Sequence, residues 1–152
     1  MLRQQLNDAL KTAMLAKEAR VVSTVRLILA ALKDRDIAAR SRGVTDGIGE
    51  DEILSMLQSM IKQRRESIVL YEQGGRQELA QQERDEIVVI ERFLPRQMDE
   101  AETAQAVKAA IEEIGATGLK DMGKVMAVLK ERFAGQMDFT KASAQTKAAL
   151  GA

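Results

Sequence analysis

A chain of 152 residues, 45% of them apolar, is long enough for one domain with a real core, or for a domain and a small appendage. Its 23 basic and 23 acidic residues cancel in number, and the lack of Cys and His excludes disulfides, thiol nucleophiles, thiolate or imidazole metal sites and an imidazole base. No cofactor or metal is expected, and enzyme chemistry would have to rest on carboxylates, Lys or Ser. Aromatic residues make up 3% and there is no Trp, so Val, Ile, Leu, Met and Ala must do the packing, as in helix bundles. No apolar run approaches the roughly 18 residues of a membrane span, and the N-terminus lacks a signal-peptide pattern. The expectation is a soluble, cytoplasmic protein with no membrane partner.

Along the chain, Leu2, Leu6, Ala9, Leu10 and Ala13 recur at helical spacing and predict a first helix to about Glu18. Val21, Val25, Ile28, Leu29 and Leu32 predict a second, to about Arg42, with Gly43 as a left-handed stop. The segment GVTDGIG at 43–49 is a turn, since no strand precedes it and no Lys-Ser or Lys-Thr follows to make a phosphate loop. Glu50, Asp51 and Glu52 complement the positive end of a third helix that runs to Glu72 or Gln73 and breaks at Gly74-Gly75. A fourth starts near Gln77, carries Leu79, Ile87, Ile90 and Leu94 on one stripe and ends at Pro95.

Beyond Pro95 the composition turns Ala-rich. Asp99 with Glu102 reads as a capping box for a fifth helix ending at Gly115. A sixth is predicted from about Leu119 to Phe133, and Asp138 caps a last short helix ending with Leu150 and Gly151. No segment alternates with period two. The fold class is therefore all-α: a four-helix N-terminal domain over residues 1–95 followed by a smaller three-helix bundle over residues 96–152.

The charges are unevenly spread. Residues 1–45 hold nine cations against four anions, and residues 77–102 hold three against eight, a pattern that suits two parts of one bundle attracting each other or a partner being steered. Lys62, Arg64 and Arg65 could be a nucleic-acid grip or the edge of a packed bundle. On a helical wheel Arg64 falls inside the apolar sector marked by Leu57, Ile61 and Ile68, whereas Lys62 faces water and Arg65 sits at the border. A buried guanidinium needs a partner. Glu83 lies on the fourth helix's apolar stripe with Glu86 at its edge, so Arg64 is expected to pair there, with Arg26 of the second helix as a third member.

Several segments together resemble the GatB/YqeY family: STVRLILAAL at 23–32, IKQRRESI at 61–68, Tyr71 with GGR at 74–76, LAQQERDEIVVIERFLP at 79–95 and KDMGKVMAVL at 120–129. The resemblance covers nearly the whole chain in order, departing at the GQMDFTKASAQTKAAL end. It implies kinship with the tail of the amidotransferase subunit that holds the outer part of tRNA, and with a family label of carbon–nitrogen ligase activity using glutamine as amido donor. Since this chain shows neither a glutaminase Cys or His nor an ATP loop, the implied role is a non-catalytic, tRNA-associated accessory module, with tRNA or a protein of the translation or amidotransferase machinery as partner. The alternative is a helical protein–protein adapter with no RNA ligand.

Within KDMGKVM, Gly123 in a helix costs about 1 kcal/mol relative to Ala, which suggests close approach by the fifth helix or by an RNA backbone. Met122, Met126, Leu129 and Phe133 read as the buried stripe, leaving Lys120 and Lys124 as candidates for phosphate contacts.

Overall fold

A computed structural model describes residues 1–151, over which the chain forms seven α-helices and one 3₁₀ turn, with no strand among the described residues. The chain divides into two compact units, the first Met1–Pro95 and the second beginning at Arg96. In the first, α1 (Leu2–Leu15), α2 (Ala19–Arg40), α3 (Glu50–Gln73) and α4 (Gln77–Glu91) enclose a core of aliphatic side chains. Leu6, Ile28, Leu57 and Ile90 are wholly buried at its centre. In the second, α5 (Glu100–Ile114), α6 (Met122–Arg132) and α7 (Phe139–Gly151) bury Val107, Val125, Leu129 and Met137.

In the first unit three helix ends differ from the sequence expectation. α1 stops at Leu15 rather than near Glu18, because Lys17 adopts a left-handed conformation (φ 57°) that folds the chain into α2. α2 stops at Arg40 rather than Arg42; a short turn follows, in which Gly43 takes φ 81° and Val44 N–H returns to Ala39 C=O at 3.1 Å. α4 ends at Glu91 rather than Pro95, since the N–H groups of Arg92, Phe93 and Leu94 tighten onto carbonyls three residues back. Such tightening satisfies the last carbonyls of a helix.

The 43–49 turn is held by one cation. Arg3 forks onto the Asp36 carboxylate at 2.8 and 2.7 Å and also donates to Ile48 C=O at 2.9 Å. Asp36 in turn accepts the Ile48 N–H at 2.8 Å, and Leu2 N–H donates to Glu50 at 3.0 Å. The Arg3 guanidinium, followed by that N–H, holds the Asp36 carboxyl below its ordinary range despite burial. α1, α2 and the turn into α3 are thereby tied, with Ile48 carried into the core at 4% exposure.

The second unit starts more locally. Asp99 accepts Glu102 N–H at 2.7 Å while Glu102 reaches back to Asp99 N–H, a complete capping box, and Gly115 ends α5 at φ 73°. Asp138 accepts N–H groups of Thr140 and Lys141 at the start of α7. α6 is shorter than the expected Leu119–Phe133 segment, because Leu119–Asp121 forms a separate 3₁₀ turn. Its buried line is rotated toward Val125 and Leu129, with Met122, Met126 and Phe133 only partly covered.

The clamp on the turn can be tested with two glycines. Gly47 (φ 92°) leaves room for Arg3, since a Cβ there would fall 2.5 Å from its Nη2, whereas a Cβ on Gly43 would meet nothing within 4 Å. Gly43→Ala should cost about 1 kcal/mol, from the left-handed conformation alone. Gly47→Ala should cost about 2 kcal/mol, because it also displaces Arg3 from its partly buried acceptors. Urea unfolding measures both; equal losses would mean that Arg3 does not hold the turn.

Candidate functional site

Two places bring together the residues that the sequence singles out. In the first unit, the short Gly74-Gly75 turn makes α3 and α4 neighbours, and Arg64 on α3 points between them. Its Nε donates to Glu86 Oε2 at 2.8 Å and its Nη1 to Met60 C=O at 3.2 Å, while Glu83 Oε2 stands 3.8 Å from Nε. The side chains of Arg64, Glu86 and Glu83 are 13, 12 and 20% exposed. Glu86 rather than Glu83 is thus the direct partner. The reason lies in α4, whose buried face extends through Val89 and Glu86 beyond the stripe read from the leucines and isoleucines.

Arg26 is not a third member. It is exposed on α2, lies beside a shallow hollow with Met14, Lys17 and Val22, and has no ion-pair partner among the described residues. α2 turns Thr24, Val25 and Ile28 inward instead. Of the cations in KQRRES, Lys62 is exposed and Arg65 approaches Glu91 of α4 at 3.9 Å.

Two carboxylates sharing one guanidinium do not share it equally. Burial, then the neighbouring Glu86 carboxylate, push the Glu83 carboxyl above its ordinary value of 4.5, with Arg64 opposing them. A carboxyl whose folded pKa is raised opposes folding when charged, and that cost is relieved as pH falls toward the ordinary value. Asp36, held low, has the reverse sign: its contribution is lost as pH falls through its folded pKa.

The second place is the start of α6. Here Gly118 opens the 3₁₀ turn, Asp121 N–H returns to Gly118 C=O at 3.0 Å, and the Asp121 carboxylate accepts Thr117 N–H at 3.0 Å. That hydrogen bond first, and the nearby charges of Lys120 and Lys124 next in favour, hold the Asp121 carboxyl below its ordinary range. Lys120, Gly123 and Lys124 are all exposed, and neither lysine has an ion-pair partner among the described residues. A Cβ built on Gly123 would meet nothing within 4 Å, so α5 does not pack closely against it and the helix–helix explanation of this glycine fails. What remains is a bare turn of helix backbone with a lysine on either side. Leu119, 51% exposed, adjoins it. Neither composition nor periodicity marks Asp121; its spacing from Thr117 is the local sign of a locked turn.

Among the described residues no group of three or more acidic side chains is arranged to hold a metal, and no helix is long and apolar enough to cross a membrane.

The chain as a whole is similar to known proteins. A family model described as Yqey-like protein matches residues 3–150. The altered inheritance of mitochondria protein 41 of Eremothecium gossypii is 33% identical over 151 residues, covering 97% of this chain and 79% of that protein. The protein of the same name from Meyerozyma guilliermondii is 38% identical over 91 residues, covering 59% of this chain and 44% of its own length. That from Kluyveromyces lactis is 27% identical over 88 residues, covering 58% and 45%. All three are named as mitochondrial proteins, and the expectation of a cytoplasmic protein therefore does not stand. Composition and hydropathy carry no signal that would distinguish the two compartments.

The Arg64 cluster generates a paired expectation. Glu86→Gln should destabilise the first unit by about 2 kcal/mol, because it removes the direct charged partner of a buried guanidinium and leaves only the more distant Glu83 carboxylate. Glu83→Gln should leave stability at pH 7 unchanged or raised, and should remove the part of the pH dependence in which the parent gains stability on acidification toward 4.5. Chemical denaturation at a series of pH values reads both; a Glu83→Gln loss as large as that of Glu86→Gln would refute the ordering.

Proposed function

The chain belongs to the YqeY-like family, and we propose that its second unit holds folded RNA of the tRNA kind without catalysing a reaction on it. The observation that carries this reading is the open backbone at Gly123 between two exposed lysines. Nothing in the unit needs a glycine there for packing, and at the second residue of α6 it weakens the start of the helix without any gain inside the fold. A phosphate backbone can approach a helix turn that lacks a side chain more closely than one that carries it, and lysines neutralise phosphates without reading sequence. Such contacts suit recognition of a folded RNA by shape. With three Phe and one Tyr in the whole chain, a stacking platform for single strands is poorly supplied. The resemblance of KDMGKVMAVL to the tRNA-holding tail of the amidotransferase subunit points the same way. The Asp121 carboxylate restrains the site: it sits in the field of both lysines, so affinity should be modest and strongly salt-dependent.

The test is binding of a labelled tRNA transcript measured over a range of salt. Changing Lys120 and Lys124 together to Glu should weaken binding by about tenfold or more and flatten the logarithmic salt slope by about two units, with thermal unfolding unchanged. No binding by the parent at low salt, or equal affinity of parent and variant, would overturn the reading in favour of a protein adapter that docks through Leu119 and its surroundings.

A further inference from the structure

The two helices of the first unit's hairpin carry the same eight-residue pattern. Residues 65–72 read RESIVLYE and residues 84–91 read RDEIVVIE, with Arg, Ile, Val and Glu at matching places. α3 and α4 are joined by the short turn at Gly74-Gly75 and run antiparallel, so the first residue of each octapeptide meets the last of the other. Arg65 pairs with Glu91 at 3.9 Å, and Arg84 pairs with Glu72. Between these pairs, one turn from each, lie Val69 and Val88, which are 53 and 57% exposed. The preceding isoleucines, Ile68 and Ile87, pack toward the core instead. A local two-fold axis therefore relates the two halves of this surface: an exposed apolar centre with a charge at each of four corners, alternating in sign.

The pattern selects its occupant. The paired side chains remain from 40 to 67% exposed, so they can still meet a second partner. A surface of one sign, such as nucleic acid or an anionic bilayer, would face two attractive and two repulsive corners. A second copy, turned about a two-fold axis lying in the plane of the patch, presents Glu to every Arg and Arg to every Glu. This holds whether the axis runs along the helices or across them, because adjacent corners differ in sign in both directions. The valines then close on their counterparts in the middle, as the apolar centre of an isologous contact does. We propose that two copies of this chain associate through the Arg65–Val69–Glu72 and Arg84–Val88–Glu91 face, packing their α3–α4 hairpins into a four-helix contact.

The experiment is sedimentation of the full chain over a concentration series at low and moderate salt. The parent should show a monomer–dimer equilibrium. R65E/R84E makes all four corners negative and E72K/E91K makes them all positive; each should dimerise about a hundredfold more weakly than the parent. An equimolar mixture of the two variants should recover the dimer. V69K/V88K, which leaves the ion pairs intact, should be monomeric with parental far-UV circular dichroism, and it carries the test if a charge variant fails to fold. A parent that stays monomeric at the highest attainable concentration, a dimer that none of the variants weakens, or a mixture that does not recover association overturns the proposal.

Discussion

A guanidinium inside an apolar interface tolerates little freedom in what surrounds it, and Arg64 imposes this on the first unit. Its hydrogen bonds to Glu86 and to the Met60 carbonyl compensate its desolvation, and the first of them depends on where α4 lies against α3. Sliding α4 so that Ile90 replaced Glu86 would leave the cation buried without its direct partner, at a cost of several kcal/mol. A pair of this kind adds little net stability over apolar residues of the same size. Its value is register, and the register has consequences on the opposite, exposed side of the same hairpin. Arg65 and Arg84 can reach Glu91 and Glu72 only because the two helices are held at that alignment.

The two units reach their folds by different means. The first has long helices, a large aliphatic core and ion pairs that span distant parts of the sequence, such as Arg3 with Asp36. The second is small and leans on its helix ends. Glu102 illustrates the economy: it completes the capping box with Asp99 and is forked by Arg96 at its edge. The hydrogen bond from Arg96, largest among its influences, keeps that carboxyl low. Thr146, wholly buried on α7, donates within its own helix to Ala142 C=O at 2.7 Å and also lies 3.7 Å from Met126 Sδ of α6.

What could be read in advance follows from whether the cause is local. The capping box at Asp99, the stop at Gly115 and the acidic first turn of α3 are signals carried within four residues, and the all-helical class follows from the 3.6-residue periodicity. The end of α4 is less local, because Pro95 restricts Leu94 but does not say where the preceding helix gives way to tighter turns. A wheel can turn Arg64 inward, yet choosing between Glu83 and Glu86 requires the rotation of α4 about its own axis. Arg26 shows the limit plainly: a residue bordering an apolar face can lean to either side, and here it leans away from the hairpin. Gly123 shows another, since a glycine that accommodates a neighbour and one that has none look alike in sequence. The octapeptide repeat is silent in the sequence for a related reason. Its meaning depends on the antiparallel pairing of the segments, which no periodicity within one helix reveals.

The bare turn at Gly123 bears also on motion. A helix whose first turn holds a glycine, makes no side-chain cap with Asp121, and follows a 3₁₀ turn held by one backbone hydrogen bond and one carboxylate has little to resist local opening. Val125 and Leu129 anchor the helix only further along. The amide protons at residues 119–124 should therefore exchange with solvent well before those beside Leu129, making this segment the part of α6 that can change shape when something docks there, while the remainder of the helix stays in place.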